Sequence, residues 1–465
     1  MRPLLILVLT PALGACVSDP SDTDGETSSS NSSSGVAVSF GSTENEAPTT
    51  GADPTSDGAT TGATTAETTD PATGDASATG STGEDSTTGA GLPEDEALLR
   101  QAIAGEVDPE DAMRTIADRG GFPVETAGGT YLFACLCGQG DWRLAGAHDE
   151  WVGAPMELAG PLWWAEAEVP APDGSLYKFH ELGDDAWIAD PLGRRHGYDD
   201  NGRHSLVRAS AAHLERWYAV AGVGLAPRDL QVHVPEDGAF THALYVHDGQ
   251  NLFDPGAPFG YWQLQDSVPP AMLLVGIDNT PARLDEYTHV VDDLGDGVVG
   301  GQGPAYAELV DTVIRPRMEA AYGDAVVVGT MGSSLGGLIS LVIADLYPDR
   351  YDMAISLSGT MGWGSLGLNN ETIIERYAAA GKRDFAIYLD SGGDGPCADA
   401  DMDGIEDDSP ATDNYCENAQ LRTMLEGLGW SEGSDLWYVH APGAAHNEGA
   451  WALRVGGAMN DFAGL

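Results

Sequence analysis

The sequence predicts an α/β protein with a mostly parallel sheet, preceded by a small β-sandwich and a disordered tether. From about residue 211 onward, near-continuous apolar runs such as HALYVHDG, AMLLVGID and AVVVGTMG alternate with helical segments, which is typical of buried parallel strands. Residues 122–210 instead contain short apolar runs separated by turn residues, as in a β-sandwich. Residues 17–92 are mostly Ser, Thr, Gly, Ala, Pro, Asp and Glu, a composition that cannot bury a core.

The N-terminal segment MRPLLILVLTPALGAC has the features of an export signal. Arg2 supplies a positive charge, and the apolar run that follows is too short to span a bilayer. Residues 13–16, LGAC, resemble the lipobox of bacterial lipoproteins, which implies cleavage before Cys16 and lipidation of its thiol. We therefore expect a signal peptide over residues 1–16, a tether over 17–92 and a lipid anchor in the bacterial cell envelope, at the outer membrane or cell surface. A cleaved signal without a lipid is the alternative.

The charge of the chain limits its partners. Its 73 acidic residues outnumber 21 Lys and Arg, giving a formal net charge of -52, and Lys178 and Lys382 are the only lysines. Such a chain repels nucleic acid and anionic lipid, so we expect no nucleic-acid partner and membrane contact only through the anchor. The oligomeric state is left open by the sequence.

Two modules are predicted after the tether. Residues 93–121 form a helical lead-in. Residues 122–210 contain WRLAGAHDEWVGAPMEL, LWWAEAEVPAPDGSLYKFHEL and WIADPLGRRHGYDDNGRHSLV, which resemble the early-set immunoglobulin-like domain that precedes the catalytic domains of branching enzymes and some esterases. Five tryptophans in this module are candidates for stacking on sugars, with core packing as the alternative for each: Trp142, Trp151, Trp163, Trp164 and Trp187.

Residues 332–336 read GSSLG, which is a G-x-S-x-G pattern. It follows an apolar run, Ala325 to Val328, predicted as a strand, and precedes an apolar-periodic stretch, Leu335 to Leu346, predicted as a helix. A serine on such a tight strand-to-helix turn presents its hydroxyl to a site, and small neighbours let the two elements close together. Only Ser334 has both flanking glycines, so it is the predicted nucleophile and Ser333 is not.

A serine hydroxyl needs a general base, expected late in the chain. His446 lies in a Gly/Ala loop after the predicted strand at Leu436 to Val439, whereas His440 belongs to that strand and is less well placed.

The base in turn needs a carboxylate, expected in the loop that follows the strand within FAIYLDSGGDG. Asp394 is the preferred residue. Asp390 and Asp413 remain alternatives, because acidic residues crowd this part of the chain.

From residue 231 to the C-terminus the chain resembles the family of α/β-hydrolases that includes ferric-enterobactin-type and feruloyl esterases. The resemblance rests on ALYVHDGQNLFD, GIDNTPARLDEYT, GSSLGGLISLVIADLYPDRYDMAISLSG and HNEGAWALR. It implies an α/β-hydrolase domain over residues 211–465, with Ser334 as nucleophile, His446 as base, and an oxyanion hole formed by the amides of Leu335 and Gln250. The chain departs from the family in the acid loop, where it has Gly392, Gly393, Asp394 and an insertion.

The insertion, Cys397 to Cys416, contains a D-x-D-x-D-G pattern. Alternate carboxylates of this spacing converge on a hard cation, so we expect a structural calcium site, with a solvated acidic loop as the alternative. The twelfth position lacks the glutamate of an EF-hand, and the loop looks more like thrombospondin type 3 repeats. The predicted ligands are Asp399, Asp401, Asp403 and Asp407.

Four cysteines besides Cys16 make an even set in an exported protein, which favours disulfides. Cys397 and Cys416 are predicted to pair. Cys135 and Cys137 are one residue apart, a strained spacing for a mutual bridge, and their state is left open.

The sequence therefore predicts a serine carboxylic-ester hydrolase that acts through an acyl-enzyme on a small-molecule or glycan ester, either carbohydrate-linked or siderophore-type. No catalytic cofactor is expected. An acyltransferase on the same fold and a non-catalytic surface binding protein are the alternatives.

Overall fold

The computed structural model describes residues 93–295, 297–407 and 412–465. The predicted signal peptide, Cys16 and the tether lie outside the described residues. Within the described ranges, no helix combines the length and apolar character that crossing a membrane requires.

The helices of the described residues lie mostly in the C-terminal half. A π-helical segment, Val310–Ile314, joins two of them, and short 3₁₀ turns occur at Ala147–Asp149, Glu236–Gly238, Gly249–Asn251 and Leu264–Asp266. The α-helices are α1 (Pro93–Ile103), α2 (Pro109–Asp118), α3 (Arg283–Glu286), α4 (Gly303–Leu309), α5 (Arg315–Tyr322), α6 (Leu335–Leu346), α7 (Ile373–Ala380), α8 (Tyr415–Leu428), α9 (Glu448–Ala452) and α10 (Val455–Ala463).

The strands form a small sheet, a large sheet and a two-stranded ribbon. They are β1 (Val124–Glu125), β2 (Tyr131–Cys135), β3 (Trp142–Gly146), β4 (Ala154–Pro155), β5 (Glu157–Ala159), β6 (Leu162–Ala167), β7 (Leu176–Glu181), β8 (Ala186–Ile188), β9 (Arg195–Asp199), β10 (Gly202–Leu206), β11 (His213–Gly222), β12 (Leu225–Val234), β13 (His242–His247), β14 (Met272–Ile277), β15 (Val291–Asp293), β16 (Val298–Gly300), β17 (Val327–Ser333), β18 (Met353–Leu357), β19 (Ala386–Ser391) and β20 (Leu436–His440).

The C-terminal part of the large sheet runs in the order β11-β12-β14-β13-β17-β18-β19-β20. In this order, neighbouring strands from β14 to β20 pair in parallel, whereas β11 pairs with β12 and β12 pairs with β14 in antiparallel fashion. Parallel strands are apolar on both faces because helices cover both faces. The sheet therefore has a hydrophobic core on each side. One packs α4, α6, α7 and α8 on one face, and the other packs α9 and α10 on the opposite face. The predicted α/β-hydrolase fold with a mostly parallel sheet is confirmed.

The strands before β11 do not form a sheet that is separate from the large one. β9 pairs with β11 through Leu214 opposite His196, so the order continues as β9-β10-β7-β3-β4. The small sheet, β1-β2-β6-β5, packs against this extension around a core that includes Phe133 of β2 and Tyr177 of β7. The immunoglobulin-like identity of this region and the predicted domain boundaries stay predictions.

The five tryptophans of this region differ in exposure. Trp142 is buried, Trp163 and Trp164 are half-buried, and Trp151 and Trp187 are about two-fifths exposed, with ring centroids 6.1 Å apart. Stacking on sugars by the exposed pair stays a prediction.

The strand and helix around the G-x-S-x-G pattern are close to their predicted positions. The predicted helix has the observed bounds of α6, Leu335–Leu346. The strand was predicted at Ala325 to Val328 but begins at Val327 and reaches Ser333, because its second half pairs with β18 up to Leu357.

Both pairs of described cysteines are bonded. Cys397 and Cys416 form the predicted disulfide, and Cys135 and Cys137, whose state the sequence left open, also form one.

A buried ion pair connects β12 to α3. Arg228 donates two hydrogen bonds to Glu286, at 2.9 and 3.0 Å, and both side chains are almost completely excluded from solvent. Glu286 also accepts a hydrogen bond from Thr280. Removing one member of such a pair leaves a buried charge without compensation.

We expect Arg228→Met to lower the free energy of unfolding by about 3–5 kcal/mol, because it leaves the Glu286 carboxylate buried and unpaired. Urea denaturation followed by circular dichroism measures this. The double variant Arg228→Met/Glu286→Leu should recover most of the loss. A loss below about 1 kcal/mol in the single variant, typical of exposed pairs, would contradict the prediction.

Candidate active site

Ser334 stands between β17 and α6 with a strained backbone. Its φ and ψ are 55° and -123°, a region that side-chain-bearing residues seldom adopt. The turn is tight enough to require glycine at position 332, because a Cβ there would come within 2.5 Å of the Gly336 carbonyl group. The Ser334 amide donates to the Leu357 carbonyl of β18 at 2.9 Å, which fixes the turn to the neighbouring strand.

The two adjacent serines have different environments. Ser333 is the last residue of β17 and is 4% exposed, whereas Ser334 is partly exposed. Ser334 is therefore the more accessible of the two residues, and its role as nucleophile stays a prediction.

His446 lies in the loop between β20 and α9 and contacts a carboxylate. Its Nδ1 is 2.8 Å from Oδ1 of Asp413, which is fully buried. A carboxylate only accepts hydrogen bonds, so the imidazole presents N–H at Nδ1 and leaves Nε2 as the atom that can accept a proton. The His446 ring also packs edge-on against Trp451 of α9, at 4.9 Å between centroids.

The preference for Asp394 as the acid is corrected by this geometry. The Asp394 side chain is 65% exposed, and its nearest histidine is His440, at 4.0 Å. Asp390, the second alternative, is buried at the end of β19 and pairs with Arg454. Asp413, the third, is the carboxylate that reaches His446, because the chain beyond the insertion returns beneath the His446 loop.

The second oxygen of Asp413 is held from several sides. Oδ2 accepts from the Ser358 hydroxyl at 2.8 Å, from Arg454 at 3.2 Å and from the Gly392 amide. Ser358 Oγ in turn accepts from Trp451 Nε1 and from Arg454. These contacts direct Oδ1 toward the imidazole and leave the carboxylate no freedom to rotate.

Arg454 lies between two buried carboxylates. It contacts Asp390 at 3.1 and 3.2 Å and Asp413 at 3.2 Å, and its own side chain is 7% exposed. Burial raises the pKa of Asp390 to about 6, although the charge and hydrogen bonds of Arg454 act to lower it.

Ser334 and Asp413 are connected through one segment of backbone. Leu357 accepts the hydrogen bond from the Ser334 amide, and the Thr360 amide donates to the Ser334 carbonyl at 3.3 Å. Ser358, between these two residues, holds Asp413 through its hydroxyl. The segment after β18 therefore fixes the nucleophile turn and the acid together.

The turn after β13 faces the first turn of α6. A Cβ on Gly336 would lie 3.4 Å from an Asp248 carboxylate oxygen, so the two turns are in contact. Leu335 is the first residue of α6, and Gln250 lies in the 3₁₀ turn Gly249–Asn251. Both predicted donors thus belong to the two turns that meet beside Ser334, and their role in an oxyanion hole stays a prediction.

Asp248 anchors that turn. It has a positive φ of 61°, and its carboxylate accepts from Arg283 twice at 2.8 Å and from Asn279 at 2.6 Å. Burial acts to raise the pKa of Asp248, but the charge of Arg283 and the hydrogen bonds from Arg283 and Asn279 outweigh it and lower that pKa. The charged carboxylate thus ties the turn after β13 to Arg283 and Asn279.

The acidic insertion brings three of the four predicted metal ligands together. Oxygen atoms of Asp399, Asp401 and Asp403 lie within 4.8 Å of one another, and Asp407 is not part of this group. Asp407 lies beside Gly362, close to buried Glu417, and its role as a ligand stays a prediction. Burial and the charges of Asp403 and Asp401 raise the pKa of Asp407 to about 6.

Two carboxylate oxygens of that group suit a cation. Asp399 Oδ1 and Asp403 Oδ2 are buried atoms without a hydrogen-bond partner among the described residues. The other oxygens of the same side chains accept from the backbone amides of Gly404 and Ile405, which orders the loop. Oxygen donors of this kind fit calcium.

Comparison with known proteins identifies the family. Residues 226–461, just over half of the chain, match the model of the family described as "Putative esterase". The chain belongs to this family.

A curated relative matches part of the chain. Uncharacterized protein YbbA of Bacillus subtilis (strain 168) is 32% identical over 131 residues, which are 27% of this chain and 52% of that protein. The chain thus spans about half the length of this curated relative.

Two solved structures show a likeness of fold. Enterobactin esterase FES of Shigella flexneri has 16% identity and a TM-score of 0.39, with 72% of this chain and 93% of that chain covered. Siderophore hydrolase EstA of Aspergillus nidulans has 15% identity and a TM-score of 0.40, with 54% and 94% covered.

Several residues that build the site were not selected from the sequence: Ser358, Arg283, Asn279 and Arg454. All four stand inside segments on which the family resemblance rests: GIDNTPARLDEYT, GSSLGGLISLVIADLYPDRYDMAISLSG and HNEGAWALR. A charged residue within a matching segment was the available signal for Arg283 and Arg454. Ser358 is uncharged, and its role depends on the packing of the segment after β18.

We expect Asp413→Asn to reduce kcat by about 10³–10⁴-fold, because the amide would hold the wrong imidazole tautomer. The matched variant Asp394→Asn should change kcat less than about threefold, since an exposed substitution away from the imidazole leaves it unaltered. Steady-state hydrolysis of an aryl ester measures both. A larger loss from Asp394→Asn than from Asp413→Asn would reverse the assignment of the acid.

Proposed function

We propose that the protein is a serine hydrolase of carboxylic esters that acts through an acyl-enzyme. Ser334 is the nucleophile, His446 the general base and acid, and Asp413 the carboxylate that orients the imidazole. The backbone amides of Leu335 and Gln250 are the proposed oxyanion hole. The single observation that carries the proposal is the 2.8 Å contact of His446 with a fully buried Asp413, at the loop edge where Ser334 occupies a strained turn.

The proposed reaction has two steps. His446 Nε2 takes the Ser334 proton while Oγ attacks the ester carbonyl, and it returns the proton to the leaving alcohol as the C–O bond breaks. A water molecule then repeats the sequence on the acyl-enzyme and releases the acid. Each tetrahedral intermediate carries negative charge on oxygen, which amides fixed before the reaction stabilise most effectively.

The substrate is proposed to be a small-molecule or glycan ester, of the carbohydrate-linked or siderophore type. Two alternatives, an acyltransferase and a non-catalytic binding protein, can be distinguished from a hydrolase by experiment. An acyltransferase would give acylated acceptor in preference to free acid when an acceptor alcohol is present. A non-catalytic binding protein would fail to react with a fluorophosphonate at Ser334.

We expect Ser334→Ala to lower kcat/KM for an aryl ester by about 10³-fold or more, because no nucleophile remains. Ser333→Ala is the matched control, with a change below about tenfold, since its hydroxyl is buried beside the site. Circular dichroism verifies that both variants fold. Equal losses in the two variants would contradict the assignment of the nucleophile.

We also propose, from the N-terminal sequence, that the enzyme is exported and lipid-anchored to the cell envelope through Cys16. Mass spectrometry of the mature N-terminus tests this, because a diacylglyceryl cysteine has a distinct mass.

A structural calcium ion is proposed at Asp399, Asp401 and Asp403. The two oxygens without hydrogen-bond partners among the described residues support it. The ion would offset repulsion among the three carboxylates and order the loop that leads to Asp413.

We expect chelation to lower the melting temperature and the activity together, because the ion stabilises the folded state by mass action. Calcium should restore both better than magnesium, since the loop offers flexible oxygen ligands. Calorimetry of calcium binding is the second measurement. If chelation changes neither quantity and no binding is detected, the loop is a solvated acidic insertion.

A further inference from the structure

A polar cavity lies behind the turn that carries Gln250. Its volume is about 110 Å³, well above the roughly 10–15 Å³ that one water molecule occupies. Gly249 and Gln250 form one wall, and side chains from β9, β10, β11 and β12 form much of the rest. The cavity therefore adjoins the proposed oxyanion hole, within the same turn that touches α6.

Two groups in this cavity lack partners among the described residues. Arg203 Nε and Asp278 Oδ1 are buried atoms that make no hydrogen bond there. Arg203 Nε is a hydrogen-bond donor. Asp278 Oδ1 accepts hydrogen bonds when the group is a carboxylate and can donate one when the group is protonated. Buried polar atoms of this kind are rare in folded proteins and call for a ligand or ordered water.

Arg203 has no carboxylate partner in the described part of the chain. Its one side-chain hydrogen bond among the described residues is a long one to the Tyr218 hydroxyl, at 3.4 Å, and it forms no salt bridge there. The neighbouring Arg216, by contrast, is paired with Asp229 at 2.6 and 3.0 Å. An arginine that remains without a carboxylate in a chain with 73 acidic residues is available for a ligand.

The charges that line the cavity nearly cancel. Arg216 is neutralised by Asp229, while Asp254 and Asp278 oppose the charge of Arg203. Burial raises the pKa of Asp278 to about 7, so this carboxyl group is partly protonated near neutral pH. The two acids disfavour an anionic ligand, Arg203 disfavours a cationic one, and the polar lining disfavours an alkyl chain.

A hydroxyl group both donates and accepts hydrogen bonds, so a ligand with several hydroxyls matches this mixed set. Gln231, which donates to Asp278 at 3.3 Å, adds an amide, and Tyr198 and Phe253 add aromatic surface. We propose that the cavity binds a neutral, multiply hydroxylated part of the substrate, such as the sugar or polyol alcohol of the ester. This inference rests on the proposed esterase function and specifies its substrate class.

The test uses binding rather than turnover, so that it does not depend on catalysis. The Ser334→Ala variant of the full chain is titrated by ligand-observed NMR with three probes: methyl glucoside, methyl glucuronoside and cyclohexylmethanol. We expect the neutral glucoside to bind at least several-fold more tightly than the anionic glucuronoside or the apolar alcohol. Equal affinity for the three probes, a preference for the glucuronoside, or no glucoside binding would overturn the proposal.

Variants in the Ser334→Ala background locate the binding. Arg203→Met and Asp278→Asn should each weaken glucoside binding about fivefold, the loss expected for one hydrogen bond. Arg114→Met, an exposed arginine on α2 outside the cavity lining, is the matched control and should leave binding unaltered. If Arg203→Met does not fold, glucoside binding by the Asp278→Asn variant decides the outcome. Unaltered binding in every folded cavity variant places the sugar elsewhere and overturns the proposal.

Hydrolysis separates this inference from the function on which it rests. The wild-type enzyme is compared on the butyrate esters of methyl glucoside and of cyclohexylmethanol. A higher kcat/KM for the sugar ester supports both proposals. Binding of glucoside without hydrolysis of either ester would refute the esterase and retain the subsite, whereas hydrolysis without a preference for the sugar ester would refute the subsite alone.

Discussion

The active-site end of the sheet depends on the contact of Arg454 with two buried carboxylates. Asp390 and Asp413 are fully excluded from solvent and would repel each other without a cation between them. Arg454 contacts Asp390 at the end of β19, Ser358 in the segment after β18 and Asp413 beyond the insertion. Because the same guanidinium also donates to Ser358, it sets the orientation of Asp413 and, through it, of His446. An arginine suits this position, since its planar fork can donate to several acceptors at once.

Backbone strain is concentrated in the same region. Four residues with positive φ lie at the turns that build the site: Asp248, Ser334, Ser358 and Asp413. Each such residue costs of order 1–3 kcal/mol, so the surrounding structure must hold it in place. The ion pairs and hydrogen bonds to Asp248, Ser358 and Asp413 supply that restraint, and the pairing of β17 with β18 supplies it at Ser334. Rigidity of this kind keeps the proposed nucleophile, base and amides in register before a substrate arrives.

Local sequence patterns predicted the parts of the site that depend on local structure. The apolar strand, the glycine-flanked serine and the apolar helix are consecutive, so Ser334 and the bounds of α6 were predictable, and His446 follows the last strand. The acid depends on a long-range return of the chain past the insertion Cys397–Cys416. The sequence showed no such contact and favoured Asp394 over Asp390 and Asp413. The pairing of β9 with β11 is similarly non-local, so the sequence did not indicate that strands of residues 122–210 continue the large sheet.

The chain has few cations, and their distribution links composition to mechanism. Arg228, Arg283 and Arg454 each pair with a buried carboxylate at or near the active-site turns. Charges on the acidic surface are screened by salt over roughly 8–10 Å, whereas buried pairs are screened much less. Ionic strength therefore changes the repulsion around the outside of the protein but not the contacts that hold Asp248 and Asp413. An extreme net charge and ordered active-site turns are compatible in this fold because Arg228, Arg283 and Arg454 pair with buried carboxylates there.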